Sequence, residues 1–458
     1  MNDITAFFAF LKCCLGYKEN MSRVIAGMNW QELYSFASKQ ALLGLCFEGI
    51  ERLGKEYPEE LKRNPIGREL LMTWMGKAQQ IHRQNMKVNA VASKLFSMLR
   101  EDGLRCCVLK GQGNALMYPN PYSRTPGDID VWIDASRVRI SEYASKRFEL
   151  EDDIRLQHLE TSLDGVPVEL HFFPCSMNNP IYHARLQKWF QRNADLQCSH
   201  IVGLPDGAGD IAIPTTAFNV VYQLTHLYHH FFDEGIGMRQ IIDYFLVVND
   251  FSKNVFLDND LSNHPVNFSN HPVPLSKEGS TFSPSPSSSG SGDVTAPSRC
   301  SEPLRSKDGG PSKVSPDCAG WDRLAIEGDN SAGSTAVVTS SASTALVVVQ
   351  RELKHLGLWK FAGAVMYVLH ETLGLSEEKM IAPMDEKRGK LLLAEILNGG
   401  NFGKHFTKYG HFTQQGMAKK YFLKIWRNMH FVRYFPAEAL SEPIFRTWHF
   451  FWRLKHRR

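Results

Sequence analysis

Two aspartates separated by a single residue give the strongest chemical signal in this sequence. Asp128 and Asp130 lie in the segment Gly127–Asp134, where they alternate with apolar residues. Because alternate side chains of an extended strand point to the same side, both carboxylates should project from one face while Ile129 and Val131 enter a core. Paired carboxylates repel each other unless a cation lies between them, and Mg²⁺ is usually held by one or two carboxylates together with substrate phosphates. The spacing therefore predicts a metal-dependent phosphate-transfer site.

A third carboxylate is predicted on a neighbouring hairpin. Residues 154–159 have the pattern of a strand, Asp164-Gly165 is typical of a tight turn, and 166–172 form the returning strand. Glu169 alternates with apolar residues on the returning strand. If this hairpin lies beside the Asp-rich strand, Glu169 completes a three-carboxylate site for two metal ions. His171 shares the face of Glu169, which leaves both a site role and a structural hydrogen bond open.

A glycine turn before the aspartates has the features of a phosphate-binding loop. An apolar strand ends at Lys110, and Gly111 and Gly113 follow it. Glycines let backbone N–H groups approach a phosphate, and a helix predicted from Asn114 onward would favour anions at its N-terminus. Lys110 and Arg124 are the candidate cationic contacts to the same phosphates. We therefore expect the nucleotide-binding residues to include these two side chains and the two glycines.

The combined motifs resemble a known enzyme superfamily. A glycine turn, an Asp128-Ile129-Asp130 strand and a later strand with one acidic residue are similar to the nucleotidyltransferase superfamily of the DNA polymerase β type. The fuller pattern resembles a bacterial group of uncharacterised nucleotidyltransferases, best over residues 85–250. The residues that carry this closer resemblance are Leu109-Lys110-Gly111, Tyr118, Arg124, Asp128, Asp130, Val168-Glu169-Leu170-His171, the histidines within 226–230, Gly237, Arg239 and Asp243.

The resemblance implies an α+β fold, with a small mixed β-sheet nucleotidyltransferase core flanked by N- and C-terminal helical regions. It implies that Asp128, Asp130 and Glu169 are the metal ligands, with two Mg²⁺ ions or Mn²⁺ in their place, and that the substrate is a nucleoside triphosphate. It does not supply the acceptor. One departure is the Gly111-Gln112-Gly113 turn, where the superfamily usually has Gly-Ser or Gly-Gly. The alternatives are a catalytically inactive nucleotide-binding regulatory module and a membrane-surface scaffold with the same fold.

Composition places the chain among ordinary globular proteins. Of its 458 residues, 43% are hydrophobic and 22% are charged. Nine cysteines occur without any Cys-x-x-Cys motif, which favours a reducing compartment and argues against a structural zinc site. No apolar run reaches the length that spans a bilayer, and the N-terminus lacks the basic start of a signal peptide. We expect a cytoplasmic protein that is at most peripheral to a membrane.

The chain divides into four predicted regions. Residues 1–100 have helical periodicity, and 101–250 contain the catalytic core and the helices that follow it. Residues 251–345 are rich in Ser, Pro and Gly and are predicted to be a disordered insertion. Helical periodicity resumes over 346–458.

The C-terminal segment is strongly basic and aromatic. From Lys419 to Arg458 there are ten Lys or Arg residues and two Glu, a net charge of +8 that leaves −4 for the rest of the chain. Basic and aromatic residues alternate along it, a composition that suits an anionic membrane surface or nucleic acid. A core-packing helix with a solvated basic face is the plain alternative.

Three further features carry weaker predictions. His226, His229 and His230 have a helical spacing that can place two imidazoles on one metal, but no carboxylate accompanies them, which favours structural or substrate-contacting roles. Arg239 and Asp243 are four residues apart and can form a local ion pair. The segment 398–405 resembles a phosphate loop but lacks the Ser or Thr of a Walker motif, so a structured turn is the better interpretation.

Overall fold

Helices surround one small mixed β-sheet in this protein. The structure, a computed structural model, describes residues 3–150, 155–261, 340–404 and 417–456. Within them the residues before position 263 and after position 338 belong to one compact unit. This unit contains parts of the predicted N-terminal, catalytic and C-terminal regions.

Sixteen helices occur in the described residues. Six precede the sheet, and the last of these, α6, is long enough to run the whole length of the core. Their bounds are α1 Asp3–Cys14, α2 Ser22–Ala26, α3 Trp30–Lys39, α4 Leu43–Glu56, α5 Pro58–Arg63, α6 Arg68–Glu101, α7 Gly111–Ala115, α8 Arg137–Arg147, α9 Pro180–Ser199, α10 Thr216–Asp233, α11 Met238–Leu261, α12 Ser340–His355, α13 Trp359–Leu373, α14 Glu386–Gly399, α15 Met417–Met429 and α16 Pro436–His456.

Four strands form the catalytic sheet in the order β1-β2-β4-β3. They are β1 Cys106–Leu109, β2 Ile129–Ile133, β3 His158–Leu163 and β4 Val166–His171. β1 runs antiparallel to β2, β2 runs parallel to β4, and β3 pairs antiparallel with β4. Two further strands, β5 Ile201–Gly203 and β6 Asp210–Ala212, form a separate ribbon. The mixed sheet among helices confirms the predicted α+β class.

A two-residue turn sets the register of the β3–β4 hairpin. Asp164 and Gly165 both have positive φ, at 50° and 71°, and Leu163 pairs directly with Val166. This conformation matches the twist of the flanking strands, and Asp-Gly adopts it readily. The sequence prediction of a tight hairpin here is confirmed.

The two faces of the sheet contact different helices. On one face, alternate residues such as Val108, Val131 and Val168 pack in a cluster with α6 and α8. On the other face, Cys107 and Trp132 join the larger core with α9 and α10. Both faces are covered at β1 and β2, so these two strands are apolar except for Asp130. The polar residues that remain in the strands therefore stand out as candidates for function.

The C-terminal helices share their core with α10. Phe231 contacts Phe361 of α13 and Phe431 after α15, with ring centroids 5.8 and 4.6 Å apart. Arg427 is buried beside them and donates to the Phe231 carbonyl at 2.8 Å. This packing joins residues 346–404 and 417–456 to α10.

The predicted insertion at 251–345 lies largely outside the described residues. Within its predicted limits, α11 continues to Leu261 and α12 begins at Ser340, so helical structure extends further at both ends than the composition indicates. None of the described helices combines the length and apolar character needed to cross a bilayer.

Candidate active site

The sheet brings the predicted carboxylates together. Asp130 of β2 pairs in register with Glu169 of the parallel strand β4, so their side chains leave the same face next to each other. Asp128 lies two residues before Asp130, immediately ahead of the strand. The sequence placed these three residues on two strands, and the parallel pairing makes Asp130 and Glu169 neighbours. The oxygens of Asp128, Asp130 and Glu169 do not all lie within 4.8 Å of one another.

Two cationic side chains contact Asp130. The Lys110 ammonium group lies 3.1 Å from Asp130 Oδ2, and His171 Nε2 lies 3.0 Å from Asp130 Oδ1. The same His171 nitrogen lies 3.0 Å from Glu169 Oε2. His171 therefore bridges the two strand carboxylates. The sequence left open a site role or a structural hydrogen bond for His171, and this position favours the site role.

These contacts shift the pKa values of the site in opposite directions. The charge of Asp130, followed by reduced solvation and by Glu169, raises the pKa of Asp128 to about 6. Burial would raise the pKa of Asp130, but Lys110 and His171 hold it below its usual range. Burial would lower the pKa of His171, but hydrogen bonds to Asp130 and Glu169 raise it to about 9. The cluster thus carries an excess of negative charge that is only partly neutralised.

A cavity opens beside the carboxylates. Asp128 and Asp130 form one part of its wall, and α10, α11 and the turn after α14 supply the rest. The lining residues are Lys110, Gly111, Asn114, Arg124, Gly127, Asp128, Asp130, Gln223, His226, Leu227, Arg239, Gln240, Asp243 and Phe402. Glu169 and His171 adjoin the cavity through their contacts with Asp130.

Arg124 has a carboxylate partner inside the protein. Its guanidinium group donates to both oxygens of Asp243 at 2.8 and 2.7 Å, and the Tyr118 hydroxyl donates to the same carboxylate at 2.8 Å. All three side chains are buried. The predicted pair between Arg239 and Asp243 is not formed, because Arg124 occupies both carboxylate oxygens. Arg124 therefore supports the wall of the cavity instead of presenting a free cation to it.

Arg239 is the cation that this arrangement leaves available. Its Nη1 donates to the Thr125 carbonyl at 3.2 Å, its buried Nε has no hydrogen-bond partner, and it forms no ion pair with a described residue. Its guanidinium carbon lies 5.5 Å from the centre of the Phe402 ring. Asp243 and Asp128 are near enough to stabilise its charge, but neither is hydrogen-bonded to it. A buried guanidinium with an unused donor, at the wall of a cavity, is suited to an anionic ligand.

The glycine turn differs in detail from its prediction. Lys110 has a φ of 53° and Gly111 a φ of 34°, and α7 begins at Gly111, not at Asn114. Gly113 is buried, and a Cβ there would come within 3.0 Å of Ile213 Cγ2. Gly111 thus lines the cavity, whereas Gly113 permits close packing beneath the turn. Lys110 contacts Asp130 and His226 instead of pointing away from the carboxylates.

Sequence reasoning overlooked two site residues. His158 pairs across the hairpin with His171, and the Asp164-Gly165 turn was a sufficient signal to place it there. Phe402 lies in the turn at 398–405, of which residues 398–404 are described, and its φ of 53° is unusual for a residue with a side chain. Nothing in the local sequence indicated that this turn reaches the cavity.

Among the described residues, one group of three has metal-ligating atoms within 4.8 Å of one another: His158, Glu169 and His171. The helical histidines 226, 229 and 230 do not form such a group. His226 lines the cavity and lies 3.1 Å from the Lys110 ammonium group.

Comparisons with known proteins were made on the same chain. The sequence profile of a family described as uncharacterised nucleotidyltransferase matches residues 26–262. The crystal structure of an antigenic nucleotidyltransferase-like protein from Paracoccidioides brasiliensis is similar over 39% of this chain and 88% of that chain, at 17% sequence identity and a TM-score of 0.25. No curated protein matches this chain significantly.

Proposed function

This chain belongs to the family of uncharacterised nucleotidyltransferases, and we propose that it transfers a nucleoside monophosphate from a nucleoside triphosphate to a hydroxyl acceptor, with release of pyrophosphate. The observation that carries the proposal is the in-register pairing of Asp130 with Glu169, with Asp128 beside them at the wall of a cavity. We also place the chain in the DNA polymerase β-type superfamily on the same motifs.

The donor set fits divalent metal ions. Asp128, Asp130 and Glu169 supply hard oxygen ligands, which suit Mg²⁺ or Mn²⁺, and the raised pKa of Asp128 records a repulsion that a cation would relieve. Bound there, such ions would act as Lewis acids on the phosphate oxygens and lower the pKa of the attacking hydroxyl.

The residues around the cavity would bind and orient the triphosphate. Arg239 offers a positive charge and a guanidinium nitrogen that has no hydrogen-bond partner. Asn114 of α7 and Gln223 of α10 line the same cavity, and their amides are hydrogen-bonded to each other. The Arg124–Asp243 pair fixes the wall against which these groups are held. Preorganised donors of this kind stabilise charge that develops on the phosphates during transfer.

The reaction forms one bond and breaks one. The acceptor oxygen attacks the α-phosphorus, the bond between that phosphorus and the bridging oxygen breaks, and pyrophosphate leaves. Glu169, which is partly exposed beside Asp130, is positioned to accept the proton of the hydroxyl. Lys110 holds the Asp130 carboxylate in place from the opposite side.

The test is transfer of label from each α-labelled nucleoside triphosphate, in the presence of Mg²⁺ and a cell extract as the source of acceptor. We expect label to move onto an acceptor with the natural chain and not with Asp130→Asn. Asp134→Asn is the matched control, because Asp134 pairs with Arg105 outside the cavity. Nucleotide binding without transfer would support the regulatory-module alternative and contradict the proposal.

A further inference from the structure

The β3–β4 hairpin carries two histidines that the three-carboxylate scheme does not use. His158 and His171 are cross-strand partners, with ring centroids 5.0 Å apart. His171 shares β4 with Glu169, and β4 lies between the strands that carry His158 and Asp130. His171 Nε2 and His158 Nδ1 lie 3.0 and 3.4 Å from the same oxygen, Glu169 Oε2. Donors that share a metal at about 2.0–2.2 Å are separated by distances of this size.

His158 has the environment of a metal ligand. Its Nε2 lies 3.4 Å from Glu160 Oε1, while its Nδ1 is buried and makes no hydrogen bond. A carboxylate that accepts the proton of one ring nitrogen leaves the other nitrogen unprotonated, which is the usual arrangement around a metal-bound histidine. Glu160 is itself held 3.0 Å from Arg155. The lone pair of Nδ1 therefore faces Glu169 with no other partner.

His171 occupies the place between the two carboxylates. Its Nε2 lies 3.0 Å from both Asp130 Oδ1 and Glu169 Oε2, and its Nδ1 lies 3.2 Å from the Gln157 amide nitrogen. In this arrangement a proton on Nε2 bridges the carboxylates. A metal cation would take the place of that proton, and the Gln157 amide would turn so that its oxygen accepts the proton then carried by Nδ1.

We propose that His158, Glu169 and His171 form a binding site for a borderline divalent transition metal such as Zn²⁺, which shares Glu169 with the predicted Mg²⁺ ligands. Two imidazoles and one carboxylate select such metals over Mg²⁺, which prefers oxygen ligands. The site extends the proposed function, but its metal binding does not depend on nucleotide transfer.

The test uses the full chain without nucleotide. After treatment with a chelator, the protein is titrated with Zn²⁺ in millimolar Mg²⁺, and bound metal is counted by equilibrium dialysis with elemental analysis. Co²⁺ absorption spectra then report nitrogen ligation. We expect one Zn²⁺ per chain, with affinity at least tenfold weaker in His158→Ala and in His171→Ala. His355→Ala, which removes an exposed histidine outside the sheet, is the matched control and should bind as the natural chain does.

Circular dichroism establishes that each variant is folded, and His158→Gln replaces His158→Ala if the latter is not. Zn²⁺ binding that is equally strong without His158 or His171 would overturn the proposal, as would its absence from the natural chain. Either result leaves the nucleotide-transfer test untouched. Conversely, Zn²⁺ binding in a protein that transfers no nucleotide would support this site and contradict the proposed function.

A different observation concerns the C-terminal helices α15 and α16. Their inward faces are buried, and include Arg427 and Asn428 on α15 and Ala439 and Glu442 on α16. A second apolar stripe lies on the opposite side of each helix, at helical spacing. Its exposed members are Phe422, Trp426 and Met429 on α15, and Leu440, Ile444, Trp448 and Phe451 on α16.

A helix at a protein surface normally has polar residues opposite its buried face. Ile444 is instead 73% exposed and Phe451 63% exposed. Concentrated exposed apolar groups of this kind mark interaction surfaces. Residues 419–458 have a net charge of +8, and Lys424 and Arg446 pair with Asp233 while Arg427 lies beside Glu395. Counting those two acids reduces +8 to +6, which opposes contact with a second copy, because like charges would meet, and favours an anionic surface. Trp and Phe are also suited to the boundary between lipid headgroups and acyl chains.

We infer separately that the α15–α16 surface binds an anionic membrane face. Flotation with vesicles of phosphatidylcholine, with and without 30% phosphatidylserine, is the test. We expect the natural chain to float with the anionic vesicles, and Ile444→Glu/Phe451→Glu to lose at least tenfold in binding. Met86→Glu, a similar change at an exposed methionine of α6, should retain it.

Three results would overturn this inference. They are no flotation with anionic vesicles, equal flotation of the double variant, and self-association of the natural chain that the double variant abolishes. Binding of an oligonucleotide in preference to the vesicles would equally assign the surface to nucleic acid.

Discussion

Two histidine clusters in this protein differ in almost every respect except residue type. His158 and His171 are thirteen positions apart in sequence but adjacent on the hairpin, where they contact Glu169. His226 and His230 are one helical turn apart on α10, with ring centroids 4.3 Å apart. The helical pair has the spacing of a metal motif, and Glu234 Oε2 lies 3.8 Å from His230 Nδ1. In the hairpin pair the carboxylate is closer, with Glu169 Oε2 3.0 Å from His171 Nε2.

The pKa values of these histidines depend on their burial and on the charged groups close to them. Burial alone would lower the pKa of every histidine in both clusters, but hydrogen bonds to Asp130 and Glu169 raise that of His171 to about 9. Burial, then the charges of His229 and Lys110, lowers the pKa of His230 to about 3. Burial, then the charge of His171, also lowers the pKa of His158 to about 4, although Glu169 is close to it. Among the histidines of these two clusters, counter-charge outweighs burial at His171, which lies between two carboxylates.

The largest expected effect comes from removing the carboxylate that the hairpin cluster shares with Lys110. Asp130→Asn should reduce nucleotide transfer by about 10³-fold or more, corresponding to about 4 kcal/mol of transition-state stabilisation. Initial rates with labelled nucleoside triphosphate measure it, with Asp134→Asn alongside. Transfer within tenfold of the natural rate would show that the carboxylate pair is not the reaction centre.

The low pKa of His230 in the helical cluster should produce a measurable pH dependence of the free energy of unfolding. Because the folded pKa of His230 lies at about 3, below its ordinary 6.5, its contribution is present above pH 6.5 and is lost as the pH falls toward 3. That loss is roughly 4 kcal/mol for a shift of this size. We expect His230→Phe, which keeps the ring contacts, to flatten the acid side of the urea-unfolding profile. An unchanged profile would mean that His230 is charged in the folded protein.

A smaller effect is expected when the guanidinium group of Arg239, at the cavity wall, is removed. Arg239→Ala should raise the KM for nucleoside triphosphate by about 10- to 100-fold, because a charged hydrogen bond to phosphate contributes about 1.5–3 kcal/mol. Arg239→Lys should recover part of the loss. Comparison of KM and kcat separates this role from a folding defect, and an unaltered KM would remove Arg239 from the nucleotide site.

The smallest effect is expected at His226, where the two clusters meet. His226 belongs to the helical cluster but lies 3.1 Å from the Lys110 ammonium group. Since Lys110 retains Asp130 as a partner, His226→Gln should change kcat by less than about tenfold, or about 1.4 kcal/mol. A pH–rate profile with both proteins checks this. A loss as large as that of Asp130→Asn would make His226 part of the reaction centre.

The surroundings of the carboxylates were less predictable than the carboxylates themselves. Arg124 and Asp243 pair across 119 positions, and this pairing displaced the local Arg239–Asp243 contact that helical spacing allowed. Phe402 reaches the cavity from a turn that had no recognisable ligand motif. Such contacts depend on how helices pack around the sheet, and helix packing is fixed by the whole core, not by any one segment.

The sequence alone determined β1, β2, β4 and the Asp-Gly hairpin, because strand alternation and turn conformation are local properties. It placed the strand before the hairpin turn at 154–159, whereas β3 is His158–Leu163. The family resemblance also came from the sequence. Only the tertiary structure decided that β4 lies parallel beside β2, that Asp243 pairs with Arg124 and not with Arg239, and that His171 bridges two carboxylates. These outcomes depend on distances and burial between residues far apart in the chain, and the electrostatic energy of each group follows from them.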